Sequence, residues 1–393
     1  MIPRVDVLVV GGGLAGSALA TRLARSGRQV MLVEKGSFPR DKLCGEFLSP
    51  EARGYLIELG VWAQIEGLRP PSIRRARFST AGGQVLMLSL PGLGFGVSRW
   101  VLDGMLFDAA RQAGARVRTG VTMEGLCEQV RGFRCFGRDS EGAPVEVEAG
   151  WVVGAYGRRA RLDHALERPF LRRNHGFVGF KQHHQATEGL NRTLADHVEI
   201  HTFDGGYCGM SHIESGVVNV CCLLETRLIR HLNSRRWPEV VSLMSERNET
   251  LRGRFSELTP ESTRPTFATA QVPFEGKEAA RRGVLFVGDA AAVIAPLVGD
   301  GQAMALASAA WAAEVLKEAV SWPSSGAREQ AIRRFRRGFT RKFGVRLGLS
   351  RVLQRQLLRS CSAERLVRIV RTVPGLADFL VMWTRETKGF YLG

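Results

Sequence analysis

Three groups of residues in this chain have types and spacings that could do chemistry. The first is Gly11-Gly12-Gly13-Leu14-Ala15-Gly16, with Glu34 following 18 residues after the last glycine. A glycine-rich turn of this form lets backbone N–H groups approach a pyrophosphate, and an acid at this distance accepts hydrogen bonds from ribose hydroxyls. The second group is Gly288-Asp289 together with Gly299-Asp300-Gly301. A carboxylate at a strand end can bind a hydroxyl chain, and a glycine turn feeding a helix N-terminus favours negative charge there. The third is Cys44, alone in the charged loop SFPRDKLCGEFLSP from Ser37 to Pro50. Cys44 is either a redox or nucleophilic centre or a small residue in a tight loop. None of the seven cysteines pairs at C-x-x-C spacing, and their odd number does not suggest a disulfide framework, so the thiols read as reduced.

The elements that must position these groups are legible around them. Asp6 to Val10 is a short apolar run of the buried parallel-strand kind, and the residues from Ser17 to Arg25 are small or helix-forming. Gly27 ends that helix, and Gln29 to Val33 forms a second strand with Glu34 at its end. Gly11 then permits the tight turn, Gly13 the close backbone approach, and Gly16 the packing of helix on strand. Gly283 to Val287 is a further strand, and a long Ala-rich helix runs from Gln302 to about Val320. Residues from about 171 to 272 alternate like strands, most clearly at Val198 to Thr202 and Val217 to Leu224. This stretch carries His183, His184, Tyr207 and His212. His183 and His184 are adjacent, so on a strand they point to opposite faces and do not share one metal. No metal-ligand spacing and no nucleophile–base arrangement is present, and no metal is expected.

A chain of 393 residues suggests two or three packed units. The net charge is +17, and the stretch from Arg328 to Arg371 holds 14 Lys/Arg against 2 Asp/Glu, so +12 lies in one C-terminal segment. Within it Ile332, Phe335, Phe339 and Phe343 recur at helical spacing, which makes an amphipathic helix with arginines on its other face. No long uncharged apolar run is present, and the N-terminus lacks signal-peptide character. A cytoplasmic location is expected, with attachment to a membrane surface as the alternative.

The pairing of GGGLAG with GDAAAVIAPLVGDGQAMALASA resembles the FAD-dependent monooxygenase superfamily of the para-hydroxybenzoate hydroxylase type, which also contains flavin halogenases and geranylgeranyl reductases. The resemblance implies an α/β fold: a Rossmann-type FAD-binding domain, an inserted antiparallel β-sheet substrate domain and a C-terminal helical segment. The expected bounds are 1–77, 97–170 and 273–320 for the first, 78–96 and 171–272 for the second, and 321–393 for the basic segment. The resemblance also implies the cofactor contacts. Gly11, Gly13, Leu14, Ala15, Gly16, Glu34 and Lys35 would hold the adenosine and pyrophosphate end. Arg40, Cys44, Gly45 and Arg99 would lie along the FAD. Gly288 and Asp289 would bind the ribityl chain, and Pro296, Gly299 and Gly301 would shape the loop beside the isoalloxazine.

Pro39-Arg40-Asp41-Lys42-Leu43-Cys44-Gly45 is most similar to the P-R-x-K-x-C-G stretch of the geranylgeranyl reductases, whereas the W-x-W-x-I-P motif of flavin halogenases is absent. Two places depart from the resembled patterns. Tyr156 stands where many hydroxylases carry the acid of an Asp-Gly pair that contacts FAD and NADPH, which speaks against direct use of NADPH and for an external reductase or free reduced flavin, with NADPH or NADH as the other electron donor considered. Tyr207-Cys208-Gly209-Met210-Ser211-His212 keeps only the tyrosine of the reductases' Y-x-W-x-F-P motif, which speaks against a prenyl-lipid substrate. The first expectation is an FAD-dependent monooxygenase of an apolar aromatic or polyketide-like metabolite. The alternatives are a geranylgeranyl reductase-type C=C reductase or dehydrogenase, and a non-catalytic flavoprotein that binds an acidic partner through its basic segment. Cys44, Tyr207 and His212 are the candidates near flavin or substrate. Cys44 has three roles open to it: packing, contact with flavin or substrate, and redox chemistry. An acidic carrier protein or an anionic membrane surface is the partner suggested by the basic segment; nucleic acid is not expected.

The ribityl assignment is testable. Asp289→Ala is expected to weaken FAD binding by about 1–3 kcal/mol, because a buried hydroxyl partner is lost. FAD occupancy after gel filtration reads this out, and full retention by the variant would refute the assignment.

Overall fold

The computed structural model describes residues 2–385 apart from 174–175, 231, 233–235, 271–276 and 384; the end of the expected basic segment, 386–393, lies outside the described residues. In chain order the elements used below begin with β1 (Arg4–Val10), α1 (Leu14–Arg25), β2 (Val30–Val33), β3 (Ser72–Ser79), β4 (Val85–Gly96), α2 (Arg99–Gln112) and β5 (Pro144–Gly154). The middle of the chain adds β6 (Phe177–Ala186), β7 (His197–Phe203), β8 (Gly206–His212), β9 (Val218–Glu225) and α3 (Trp237–Ser245). The last part adds β10 (Val284–Phe286), α4 (Gly301–Glu318), α5 (Ser325–Leu357), α6 (Ser360–Thr372) and α7 (Leu376–Trp383).

The apolar runs at the two ends of the chain meet in one parallel sheet in the order β10, β5, β1, β2, with Arg116–Arg118 beyond β2. Leu8, Val9, Leu32, Val33 and Val153 are fully buried, as expected of strands covered on both faces. The turn after β1 depends on glycine at two points. Gly11 has φ +110° and would bring a Cβ within 2.6 Å of the Ala155 carbonyl. A Cβ on Gly16 would lie 1.8 Å from the Gly11 oxygen, so α1 crosses β1 at a separation only glycine permits.

The second sheet has the order Leu258–Pro260, β6, β9, β8, β7, β3, β4, Phe47–Leu48. Its pairs are antiparallel except β7 with β3, so the expected antiparallel sheet contains one parallel join. It also begins earlier than residue 78: strand β3 starts at Ser72, and Phe47–Leu48 adds a short edge on β4. One face of this sheet packs on α3 and on the helix Glu249–Phe255 through Phe180, Cys208, Met210, Trp237 and Leu251. The other face turns toward the first sheet and the C-terminal helices.

Helix α5 buries Ile332, Phe335, Phe339 and Phe343 in the core of the first sheet's helical layer, as their spacing requires, and leaves most of its arginines outside. A Cβ on Gly338 would lie 2.1 Å from the Trp311 ring of α4, and Trp311 donates its indole N–H to the Phe335 carbonyl at 3.0 Å. No helix among the described residues is long and apolar enough to cross a membrane.

His183 and His184 occupy opposite faces of β6, as their adjacency requires. His184 faces α3, where its Nε2 accepts the Trp237 indole N–H at 3.2 Å and its Nδ1–H donates to the Gln182 carbonyl at 3.2 Å. Burial holds this imidazole neutral, with its pKa lowered from 6.5 to about 4. The folded value lies below the unfolded one, so the stabilising contribution is complete above pH 6.5 and declines as pH falls through about 4. Denaturant titrations from pH 7 to 4 are expected to show wild type losing about 2–3 kcal/mol more than His184→Gln. Parallel losses would show that His184 is not the group responsible.

Candidate functional site

A single cavity of about 1090 Å³ runs between the two sheets and under the C-terminal helices. Ligand pockets usually span roughly 300–1,000 Å³, so this one has room for a cofactor and a substrate together. One half is polar and glycine-rich; the other is walled by aliphatic side chains.

The polar half collects the residues singled out in the sequence. Gly11, Gly13, Leu14, Ala15, Glu34, Lys35, Arg40, Cys44, Gly45 and Arg99 line it from the N-terminal side. Gly288, Asp289, Pro296, Gly299 and Gly301 line it from the C-terminal side. Gly16 does not reach the cavity; it is consumed by the close crossing of α1 on β1. Glu34 accepts the Gly12 N–H at 2.8 Å and the Gly36 N–H at 3.0 Å, and Arg40 pairs with it at 2.8 Å.

Lys42 was not among the expected contacts, yet it lines the same wall. Its ammonium lies 3.0 Å from Asp103, which also holds Arg99 through two bonds of 2.6 and 2.8 Å. A Cβ on Gly13 would lie 2.7 Å from Lys42 Nζ. Burial alone would push Asp103 up, but Arg99 and Lys42 more than offset it and hold the carboxyl below its usual range. Burial lowers the Lys42 pKa, against the pull of Asp103. Two cations are thus fixed beside the glycine turn by one fully buried carboxylate.

Loop 41–46 is anchored from behind. The Lys181 ammonium of β6 bonds Asp41 Oδ1 at 2.9 Å, Glu46 Oε1 at 2.6 Å and the Lys42 carbonyl at 3.3 Å. Glu46 also accepts from His183 Nε2 at 2.7 Å and from the Arg99 backbone N–H at 2.8 Å. Burial works against both charges, but the carboxylates hold Lys181 above its ordinary pKa, and His183 and Lys181 hold Glu46 below its own. Asp41, Glu46 and His183 each place a ligand atom within 4.8 Å of the others, but the ammonium already sits among them, so the group is an ion-pair cluster. The Cys44 Sγ accepts from the Glu46 N–H at 3.4 Å and from Gln302 Nε2 at 3.5 Å.

Tyr207, Gly209, Met210 and Ser211 of β8 line the cavity; Cys208 and His212 do not. His212, the last residue of β8, lies just beyond the residues that line the cavity. Cys221 on β9, 177 residues from Cys44 in sequence, lines the cavity with it. Burial, with Cys44 next in effect, pushes the Cys221 thiol up to about 12. Burial, with the neighbouring thiols adding to it, also keeps the Tyr207 hydroxyl protonated well above its ordinary value. Tyr156, at the position of the missing acid, donates to Asp163 Oδ1 at 2.6 Å, and buried Arg168 pairs with the same oxygen at 3.1 Å.

The polar half suits an anionic, hydrogen-bonding group such as FAD. Gly13 is the N-cap of α1 and Asp300 that of α4, and neither helix start has a side-chain cap. Both termini border the cavity, so their first N–H groups are open to negative charge. Asp300 is instead bound by Arg346 at 2.8 Å and by the Ser49 hydroxyl at 3.2 Å. Gln302 Oε1 and Ser211 Oγ are buried on the cavity wall with no hydrogen-bond partner among the described residues, which leaves acceptors for a bound group.

A family model described as an FAD binding domain matches residues 4–328. The chain belongs to this family. It is an FAD-dependent oxidoreductase. It is similar to the menaquinone reductase of Mycobacterium tuberculosis, 29% identical over 333 residues that span 81% of this chain and 79% of the relative. It is also similar to the 1H-pyrrole-2-carbonyl peptidyl-carrier protein chlorinase of Pseudomonas fluorescens, 26% identical over 80% of this chain and 76% of that protein. Among solved structures, a geranylgeranyl bacteriochlorophyll reductase-like protein from Thermoplasma acidophilum shares the fold with a TM-score of 0.78 at 21% identity, covering 97% of this chain and 96% of that one.

The anchoring cluster has a direct test. Lys181→Met removes the cation shared by two buried carboxylates and is expected to cost about 3–5 kcal/mol of stability by denaturant titration. Adding Glu46→Gln is expected to recover part of the loss. A single variant as stable as wild type would show that the ammonium does not hold the loop.

Proposed function

We propose that this oxidoreductase reduces a carbon–carbon or quinoid double bond in an elongated apolar substrate. The observation that supports this is the set of proton-bearing groups at the junction of the two halves of the cavity. Tyr207 Oη and Cys221 Sγ are both kept protonated by burial and both line the wall near Cys44. Reduction of a double bond needs a proton as well as a hydride; with pKa values raised this far the two groups are weak proton donors, so their part would be to hydrogen-bond and orient the bond being reduced. When bound, reduced FAD supplies the hydride, or an oxygen atom after reaction with oxygen.

The chain's own residues divide the remaining work. The Gly11–Gly16 turn, Glu34, Arg40, Lys42, Arg99 and the α4 N-terminus would bind and orient the cofactor. Beyond Tyr207 the wall becomes Leu86, Leu88, Ile200, Leu357, Leu366 and Val370, which would take a long apolar chain and exclude water. The similarity to a menaquinone reductase and the match at Lys42-Leu43-Cys44-Gly45 support the same reading.

Oxygen transfer, the first expectation from the sequence, is the second reading. The unpartnered Ser211 Oγ and Gln302 Oε1 favour it, since they would orient a polar aromatic head whose tail fills the apolar half. In either reading the basic C-terminal segment is the surface for an acidic carrier or an anionic membrane.

One experiment separates the two. The holoenzyme is reduced under strict anaerobiosis and mixed with menaquinone as the probe. Reoxidation of the flavin with a product heavier by two hydrogens is expected, slowed at least about tenfold in Tyr207→Phe. A product heavier by one oxygen atom, formed only in air, would replace reduction by oxygenation. No turnover of menaquinone under either condition would refute the elongated-substrate reading for this probe class.

A further inference from the structure

Helices α6 and α7 carry two different faces. The inner faces wall the apolar chamber: Leu366, Val367 and Val370 from α6, Leu380 and Val381 from α7. The outer face of α7 is also apolar. Phe379, Met382 and Trp383 are each about half exposed, at 50%, 50% and 47%, and fall on one stripe at spacings of three and four. The Phe379 and Trp383 rings lie 5.3 Å apart, so they form one patch. No residue of α7 is buried, so the chamber wall here is a single helix thick.

Beside this patch the outer stripe of α6 is basic. Arg365, Arg368 and Ile369 share it, and Arg371 and Val373 extend it toward α7. Between residues 355 and 383 the chain carries five arginines and only two acids, Glu364 and Asp378. Glu364 is engaged by the Gly82 N–H, which it accepts at 2.9 Å. An exposed Phe–Met–Trp patch flanked by arginines is unfavourable in water and complementary to the headgroup layer of an anionic bilayer. An acidic carrier protein would match the arginines but leave the aromatic pair without a role.

We infer that α6 and α7 seat this protein on an anionic membrane surface, with Phe379, Met382 and Trp383 entering the interface and Arg365, Arg368 and Arg371 meeting the headgroups. The purpose of the site rests on the proposed apolar substrate: a lipid passing from the bilayer under α7 enters the chamber without crossing water. The docking surface itself rests only on the geometry of the two helices.

The test is flotation of the FAD-loaded full chain with phosphatidylcholine vesicles, with and without phosphatidylglycerol. Binding is expected only to the anionic vesicles and is expected to weaken as salt rises. Phe379→Ser with Trp383→Ser, and separately Arg365→Glu with Arg368→Glu, are expected to weaken it roughly 10- to 100-fold while FAD content and melting temperature stay unchanged. Absence of flotation, equal flotation on neutral vesicles, or flotation untouched by both variants would each overturn the proposal. Binding of a purified acidic acyl carrier protein lost in the arginine variant, with no flotation, would assign the surface to a protein instead. Turnover of detergent-dispersed menaquinone distinguishes the two levels. If it persists in wild type that does not float, docking alone fails. If vesicles bind but menaquinone is never turned over, the reading of the chamber fails and the docking surface stands.

Discussion

A single ammonium group, that of Lys181, holds the middle of the site together. It lies under the loop that carries Cys44 and is shared by Asp41 and Glu46. Taking such charges out of water costs several kcal/mol per ion, and the cost is offset only when every lone pair and proton is used. Here they are used across three elements: β6 supplies Lys181 and His183, the loop supplies two carboxylates, and α2 supplies the Arg99 N–H to Glu46. The loop has little freedom to choose another position, because any shift would separate the partners of several buried bonds at once. A segment rich in charge, glycine and proline is thereby fixed between the two sheets as firmly as a core strand.

Arg99 links this cluster to the next. Its backbone N–H serves Glu46 and its guanidinium serves Asp103, which also carries Lys42. The cations beside the glycine turn and the thiol facing the chamber are therefore set by one connected network. Position along this network also grades the polarity of the cavity. It begins at the glycine turn and helix termini, passes through protonated tyrosine and cysteine, and ends among leucines.

Much of the polar half was legible in the sequence because its information is local. The turn after β1, the acid ending β2 and the glycines before α4 each lie within a strand–turn–helix unit of a few dozen residues, and all of them line the cavity. What was hidden depends on contacts between distant segments. Lys181 meets Glu46 from 135 positions away, Gln302 meets Cys44 from 258, and neither pattern shows in a one-dimensional reading. His212 ends β8 just past the wall, and which residues of that strand meet the cavity is set by its pairing with β9 and β7. Tyr207 falls on the wall. The helical period of Ile332, Phe335, Phe339 and Phe343 correctly marked α5, while the second apolar face of α7 could be understood only once the chamber beneath it was known.

Helix α5 has a mechanical consequence. Its 33 residues extend about 50 Å. Near its start, buried Arg328 pairs with Glu128 beside the first sheet. At its middle, Gly338 receives the Trp311 ring and Arg346 binds Asp300. At its far end Leu357 packs with Ile200, Tyr207 and Leu223 of the second sheet. The helix thus acts as a rod pinned at three points along both halves of the molecule. Rocking one half against the other would bend the rod or shear a pin, and both are costly. Rocking of the frame is therefore a costly way to admit a bulky molecule, whereas α7, which has no buried residue, is a thin part of the chamber wall.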